Sequence, residues 1–231
     1  TVSAPAPSTT NLSGWSARGY RANATAADRT YVVTTSNADI GISPSDASDL
    51  YAVYSRTITM YHGLNKASTT TATQYYNSAN NHSAISAPAP STTNLGGWSA
   101  RGYREDTTAA DRSYAVTTSA VNITPAYNSS NNLYAVYNRT LTFAYNGNGN
   151  TGGSTSSQTG TQYYNSNNSV STLTIASRGN GFTKTGYNFN KWAYDSASGS
   201  QVAAGGNISF APTVDKTGNA LIRTMFATWS A

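Results

Sequence analysis

The chain has 231 residues, enough for one large domain or for two or three small ones. Charged residues make up 10% and hydrophobic residues 38%, both below the usual globular shares, whereas aromatic residues reach 11%. Disorder is not expected, because disordered chains are poor in aromatic residues. The net charge of +5 is thinly spread, without a run of Lys and Arg, so we expect no nucleic-acid partner.

Several classes of site and segment are disfavoured by what the sequence lacks. With 0 Cys there is no disulfide, thiolate nucleophile or Cys-based zinc site. The two histidines, His62 and His82, cannot form a His-rich metal site alone, and we expect no metal and no cofactor. No apolar run approaches the roughly 18 residues of a membrane span. The chain starts without Met or a signal-peptide pattern, so we expect a processed form or a fragment.

The composition favours a mainly β, extracellular protein. Thr, Tyr and Val favour strands, whereas Asn, Gly and Ser favour turns, and these residues dominate the chain.

Self-similarity organises the chain from its beginning. Three segments recur 83 residues later and a fourth recurs 88 residues later. These segments are SAPAPSTTNL (3–12 and 86–95), GWSARGYR (14–21 and 97–104), LYAVY (50–54 and 133–137) and TQYYN (73–77 and 161–165). A fixed spacing of this kind is typical of tandem repeats.

Two strand patterns run through the repeat boundaries. Residues 50–61 and 133–145 alternate in polarity and lack Gly and Pro, which predicts strands that close one unit and open the next. The boundaries then fall near Arg56 and Arg139. We therefore expect a complete unit at 57–139, a divergent complete unit at 140–231, and an incomplete unit at 1–56.

The incomplete unit has a Trp strand and a closing strand but no opening strand, which predicts an uncovered sheet edge. Two explanations stay open at this point. The chain is a fragment of a longer array whose preceding residues supply the strand, or an identical subunit donates it and a head-to-tail filament forms.

The last unit carries motifs of a known family. TLTFAYNGNG at 140–149, GYNFNKWAYD at 186–195 and LIRTMFATWS at 221–230 resemble the Listeria–Bacteroides repeat, also described as InlB B-repeat-like. Lys191 stands where that family prefers Gly. In the earlier units only the end of the middle motif is kept, and Tyr54 and Tyr137 replace the last Trp of the closing motif.

The resemblance implies small β-grasp-like units joined in tandem, here by near-continuous strands into a stiff rod. It also implies a secreted or cell-wall-attached bacterial surface protein with stalk, adhesion or interaction roles. We expect the partners to be neighbouring repeats or identical subunits, and a glycan or host surface is a further candidate.

The aromatic residues of the repeated motifs are the predicted core, since the Trp-to-closing-strand spacing is nearly constant. The predicted core residues are Trp15, Trp98, Trp192, Tyr51, Tyr134, Phe226 and Trp229.

A second set of residues is a candidate for ligand or subunit contact, because Arg recognises anions and Tyr stacks on sugar rings. This set comprises Arg18, Arg101, Tyr75, Tyr76, Tyr163 and Tyr164. The alternative interpretation for the Arg residues is that they pair with Asp and stack over Tyr to cover the sheet.

Catalysis is not expected from this sequence. The adjacent acids Glu105 and Asp106 would point to opposite faces of a strand, and no Ser-His-Asp set recurs. The sequence predicts a non-enzymatic extracellular segment acting as a structural stalk, fibre or cell-surface scaffold. The alternatives are a carbohydrate- or host-receptor-binding adhesin module and an accessory domain of a larger hydrolase.

Overall fold

The computed structural model describes residues 1–46, 48–174, 180–210 and 221–231. The protein is mainly β, with 49% of the described residues in strands. Within the described ranges there is no α-helix, and a 3-10 turn lies at Leu64–Lys66. The predicted fold class is therefore confirmed at the level of mainly β.

Twenty-one strands follow one another in the described ranges. Those of the first third are β1 (Val2–Ala4), β2 (Ser16–Arg21), β3 (Tyr31–Val32), β4 (Ala38–Ile40) and β5 (Tyr51–His62). Those of the middle third are β6 (Ser68–Asn77), β7 (Asn81–His82), β8 (Ile85–Ala87), β9 (Ser99–Arg104), β10 (Tyr114–Ala115), β11 (Val121–Ile123) and β12 (Asn132–Asn146). Those of the last third are β13 (Gly152–Gly153), β14 (Gln158–Asn165), β15 (Ser169–Val170), β16 (Leu173–Thr174), β17 (Phe182–Thr183), β18 (Asn188–Tyr194), β19 (Gln201–Val202), β20 (Asn207–Ile208) and β21 (Ile222–Ser230).

Most of these strands join one large sheet. Its central path runs β19-β18-β21-β12-β5-β2-β3, and six further strands pair alongside this path. Four pairs stand apart as two-stranded sheets, namely β1 with β4, β8 with β11, β13 with β17, and β16 with β20.

The strands β5 and β12 change partners halfway along their length. The first half of β5 pairs antiparallel with β2, and Thr59–Tyr61 then pairs in parallel with 132–134 of β12. In the same way, the first half of β12 pairs antiparallel with β9, and 142–146 pairs in parallel with β21. At about 3.3 Å per residue, β5 is roughly 40 Å long and β12 roughly 50 Å. Each strand therefore links two successive sets of strands without a break.

Three apolar clusters lie along the sheet. The middle cluster is built around Trp98 and includes Ile58 and Met60 from the second half of β5. The last cluster is built around Trp192 and includes Leu141 and Phe143 from the second half of β12. The first cluster has only three buried members, Ala4, Val33 and Ile40. In the second halves of β5 and β12, the alternation seen in the sequence thus places every second residue in an apolar cluster, Ile58 and Met60 in the middle one and Leu141 and Phe143 in the last.

Equivalent bulges in β2 and β9 explain the repeated Arg-Gly-Tyr motif. The register shifts in both strands, and Gly19 and Gly102 adopt φ of +135° and +134°. A Cβ atom at either position would collide with a backbone carbonyl, that of Tyr31 or that of Tyr114. Only glycine fits these positions without moving the neighbouring strand.

Within the described residues, no helix is long and apolar enough to cross a membrane.

Candidate functional site: two buried arginine junctions

Each long strand carries a buried arginine at the point where its partner strands change. Arg56 lies at the centre of β5 and Arg139 at the centre of β12, and each is 3% exposed. Both face a buried glutamine in the cross-strand register, since Arg56 is opposite Gln74 and Arg139 is opposite Gln162. Buried charges are rare and need hydrogen-bond partners, so these arginines mark specialised positions.

The guanidinium of Arg56 donates hydrogen bonds to residues that all lie later in the chain, between 74 and 131. Its Nε donates to Oε1 of Gln74 at 2.9 Å. Its Nη1 donates to the carbonyl of Ser129 at 2.7 Å and to Oδ1 of Asn131 at 3.2 Å. Its Nη2 donates to the carbonyl of Ala126 at 2.7 Å and to Oγ of Ser129 at 3.2 Å. All five N–H groups of the fork are therefore engaged, four of them by the 126–131 segment.

The aromatic residues of the first third complete this junction. The Cζ atom of Arg56 lies 4.6 Å from the centre of the Trp15 ring. The indole N–H of Trp15 donates to the carbonyl of Tyr127 at 2.7 Å, and the ring of Tyr127 stacks on that of Tyr76 at 5.1 Å. Gln74 also donates from Nε2 to the carbonyl of Pro125 at 2.7 Å. Hydrogen bonds and ring stacking thus hold the segment 125–131 against Trp15, Arg56, Gln74 and Tyr76, which lie more than fifty positions earlier in the chain.

The second junction repeats the first around Arg139. The Cζ atom of Arg139 lies 4.5 Å from the centre of the Trp98 ring, and Nε donates to Oε1 of Gln162 at 2.9 Å. Nε2 of Gln162 donates to the carbonyl of Phe210 at 2.9 Å, which is the counterpart of the bond from Gln74 to Pro125.

Burial perturbs the arginines in the expected direction. Loss of hydration lowers the pKa of Arg56 from its usual value. Burial, with a smaller contribution from nearby Arg223, lowers the pKa of Arg139 to about 10. Both groups still carry their positive charge at neutral pH. For Arg56, the carbonyl, amide and hydroxyl oxygens around it replace the water that the charge has lost.

The predicted core residues occupy two kinds of environment. Trp15, Trp98 and Trp192 are 5%, 5% and 0% exposed. The others, Tyr51, Tyr134, Phe226 and Trp229, are only partly buried. In the closing strands, the buried residues are instead the neighbours of these aromatic residues. Leu133 and Ala135 flank Tyr134, and Met225 and Ala227 flank Phe226.

The predicted contact residues also divide into two groups. Arg18 and Arg101 each form a two-pronged ion pair with an aspartate, Asp28 and Asp111 respectively, as the sheet-covering alternative anticipated. Tyr75, Tyr76 and Tyr163 are partly buried. Tyr164 is 0% exposed, so the expectation that it contacts a ligand is wrong. It packs in the middle apolar cluster because its side of β14 faces inward.

A polar groove of about 460 Å³ adjoins the first junction. Arg18 and Tyr75 line it together with Arg56 and Asn131. The sequence predicted contact roles for the first two of these residues, and the fold brings them into the same groove.

Sequence reasoning assigned no role to the junction residues. Gln74 and Gln162 lie in the recurring TQYYN segments, Arg56 and Arg139 follow the recurring LYAVY segments by two residues, and the boundaries were placed beside the two arginines. The sequence feature that could have identified the junctions is a charged residue at the middle of an otherwise alternating strand, together with a glutamine in each TQYYN segment.

Within the described ranges, no group of three or more His, Asp or Glu side chains is arranged to hold a metal ion. No protein-family model, curated protein or solved structure matches the chain.

Proposed function

We propose that this protein is a non-enzymatic, extracellular repeat segment that acts as a structural stalk, fibre or cell-surface scaffold. The observation that carries the proposal is the pair of shared strands, β5 and β12, each with a buried arginine at its midpoint. In this proposal the chain comprises an incomplete unit at 1–56 and β-grasp-like units at 57–139 and 140–231.

Rigidity follows from the way successive units are joined. No linker separates the closing and opening halves of a shared strand, so a joint cannot swivel as a flexible linker does. The Arg56 fork adds a second constraint, because it ties the 126–131 segment of the second unit to the first unit. Contacts of this kind between neighbours supply much of the stability of repeat arrays.

The surface location is supported by the composition and by the resemblance to bacterial surface repeats. A rod of stiff units suits a protein that holds another domain away from a cell. The proposal requires that the distance between equivalent points of successive units has a narrow distribution.

That distance is measurable with spin labels, since a chain with 0 Cys accepts engineered labels at chosen sites. Thr30 and Ser113 are exposed and occupy equivalent positions in the first two units. The double variant Thr30→Cys and Ser113→Cys, spin-labelled at both positions, should give one narrow distance peak by pulsed electron–electron double resonance. Adding Arg56→Ala should broaden the peak, whereas Arg112→Ala, which removes a partly buried arginine, should leave its width unchanged. A broad distribution in the unsubstituted background contradicts the rigid scaffold.

A second candidate function is a carbohydrate- or receptor-binding adhesin module, favoured by the polar groove that holds Arg18 and Tyr75. A saccharide would use the ring of Tyr75 and the donors of Arg18 and Asn131. Screening the chain against a glycan array tests this candidate. Binding that is lost in Tyr75→Ala and kept in Tyr163→Ala supports it, and the absence of any bound glycan contradicts it.

A further inference from the structure

The middle unit contains a filled acceptor site for the second half of β5 and the turn that follows. Thr59–Tyr61 pairs in parallel with 132–134, and Tyr61 stacks on Tyr134 at 5.3 Å. The backbone N–H of Gly63 donates to the hydroxyl oxygen of Tyr137 at 2.7 Å. The backbone N–H of Asn65 donates to the hydroxyl oxygen of Tyr164, also at 2.7 Å.

The same segment supplies apolar side chains to the middle core. Ile58 and Met60 are 0% exposed, and Leu64 packs against the same cluster. The last unit repeats the arrangement with Leu141 and Phe143 in its core. Its turn also contacts the closing strand, because the indole N–H of Trp229 donates to the carbonyl of Gly147 at 3.0 Å.

The first unit has the same acceptor residues without an occupant among the described residues. Tyr54 and Tyr76 are the counterparts of Tyr137 and Tyr164. The hydroxyl of Tyr54 donates to the carbonyl of Ser8 at 2.7 Å, as that of Tyr137 does to Ser91. In the described part of the chain, however, no N–H donates to the hydroxyl oxygen of Tyr54.

A groove of about 320 Å³ lies where the turn would sit. Leu12, Tyr54, Tyr76 and Ser78 line it, and their counterparts in the middle unit are Leu95, Tyr137, Tyr164 and Ser166. Tyr127 forms a further wall. Ser166 uses its hydroxyl to donate to the carbonyl of Tyr61 at 2.9 Å. The Oγ atom of its counterpart Ser78 accepts from the backbone N–H of Ala52 at 2.9 Å, and its hydroxyl hydrogen is left to donate to the carbonyl of an added strand.

Equivalent leucines are less buried in the first unit than in the middle unit, as expected where no strand covers the acceptor site. Leu95 and Leu133 are 1% and 0% exposed, whereas their counterparts Leu12 and Leu50 are only partly buried. Asp49 and Leu50 have no strand partner in the described structure, although their counterparts Asn132 and Leu133 pair with β5.

We propose that the edge at 49–51 and the groove between Leu12, Tyr54, Tyr76 and Ser78 form a binding site for an extended peptide segment. Its occupant has the chemistry of 58–65, namely two apolar residues at alternate positions, an aromatic residue, and a Gly-Leu-Asn turn. Glycine is needed in that turn because Gly63 has φ of +81°, and Asn65 has φ of +50°. The site recognises its partner by strand addition and by donation of two backbone N–H groups to tyrosine hydroxyls. This inference rests on the strand geometry and does not depend on the scaffold role.

The probe is a labelled synthetic peptide with the sequence of residues 55–66, titrated into the full 231-residue chain and followed by fluorescence anisotropy. We expect saturable binding, together with slower amide hydrogen exchange at 48–52. A peptide carrying Ile58→Ser and Met60→Ser should not bind, because it lacks the two core side chains.

Variants of the chain locate the binding site. Tyr54→Phe removes the acceptor for the turn and should weaken binding about fivefold. Leu12→Asp places a charge in the groove and should weaken it about tenfold or more. Tyr137→Phe, the matched change at the filled site, should leave peptide affinity unchanged.

A substituted chain can lose peptide binding because it is unstable rather than because the site is altered. A fusion without any substitution in the chain distinguishes these two causes. The 55–66 segment, joined ahead of Thr1 by a Gly-Ser linker as long as the 67–83 connection, should raise the melting temperature of the otherwise unchanged chain. The proposal is overturned by the absence of peptide binding, by equal binding of the doubly substituted peptide, or by equal effects of Tyr54→Phe and Tyr137→Phe. Protection of 48–52 by dimerisation without peptide also overturns it, because the occupant is then a second copy.

Discussion

The guanidinium carbon of Arg56 lies 4.6 Å from the centre of the Trp15 ring, which is close enough for a cation–π interaction. Arg139 and Trp98 repeat this relationship at 4.5 Å. Each pair joins a buried tryptophan to the buried arginine at the middle of a long strand.

Replacing Arg56 with Lys should destabilise the protein although the charge is kept. Lys has three donors on a flexible stem and cannot reproduce the five bonds of the planar fork. We expect the free energy of unfolding to fall by about 2–4 kcal/mol, measured by urea denaturation. The control Arg112→Lys alters a partly exposed ion pair and should change the free energy of unfolding by less than about 1 kcal/mol. Equal losses of unfolding free energy in the two variants would show that the five hydrogen bonds of the Arg56 fork do not add to stability.

Trp98→Ala should be among the most damaging single changes. The side chain is 5% exposed and packs in the middle cluster, so its removal leaves a large cavity. The expected loss is about 3–5 kcal/mol, measured by urea or thermal unfolding. Trp229→Ala serves as the comparison, since Trp229 is only partly buried and should cost less. The ranking of the two tryptophans is wrong if Trp229→Ala is the more damaging.

Gly102→Ala should disrupt the bulge of β9. The added methyl group meets the carbonyl of Tyr114, and φ of +134° is unfavourable for alanine. We expect a loss of about 2 kcal/mol or more in the free energy of unfolding. Gly41→Ala is the matched control, because a Cβ atom there has nothing within 4 Å, and its effect should stay within about 0.5 kcal/mol. An unchanged melting temperature for Gly102→Ala contradicts the role assigned to the bulge.

Stability should fall at acidic pH through the ion pairs of the middle unit. Hydrogen bonding to Arg101 lowers the pKa of Asp111 to about 2, and hydrogen bonding to Arg104 does the same for Asp106. An unfolded Asp titrates near pH 3.9, so this contribution is fully present above about pH 4 and is lost as the pH falls towards 2.

The measurement is the melting temperature as a function of pH for the chain and for Asp111→Asn. The variant should lose part of the decline between pH 4 and pH 2, because it has no carboxylate to protonate at that position. Asp39→Asn, which removes an exposed carboxylate of β4, should keep the full decline. Identical profiles for Asp111→Asn and the unsubstituted chain contradict the assignment.

The sequence by itself determined the β character, the recurrence of segments and the positions of the long strands. These properties are local, because alternation with period two and β-branched residues specify a strand wherever the chain places it. The burial of Trp15 and Trp98 was also predicted, since the spacing from each Trp to its closing strand is repeated. The half-buried state of Tyr51 and Tyr134 was not, because a shift of one residue along a strand exchanges its two faces.

Only the tertiary structure decided how the long strands are paired. Strand patterns do not say that β5 pairs with β2 in its first half and with β12 in its second half. The role of Arg56 depends on backbone carbonyls of 126–131, which are groups that every residue possesses and that therefore leave no mark in the sequence. Tyr164 likewise became a buried acceptor for the N–H of Asn65 only because a distant turn folds over it. Contacts between residues far apart in the chain depend on three-dimensional placement, which residue types and spacing alone do not encode.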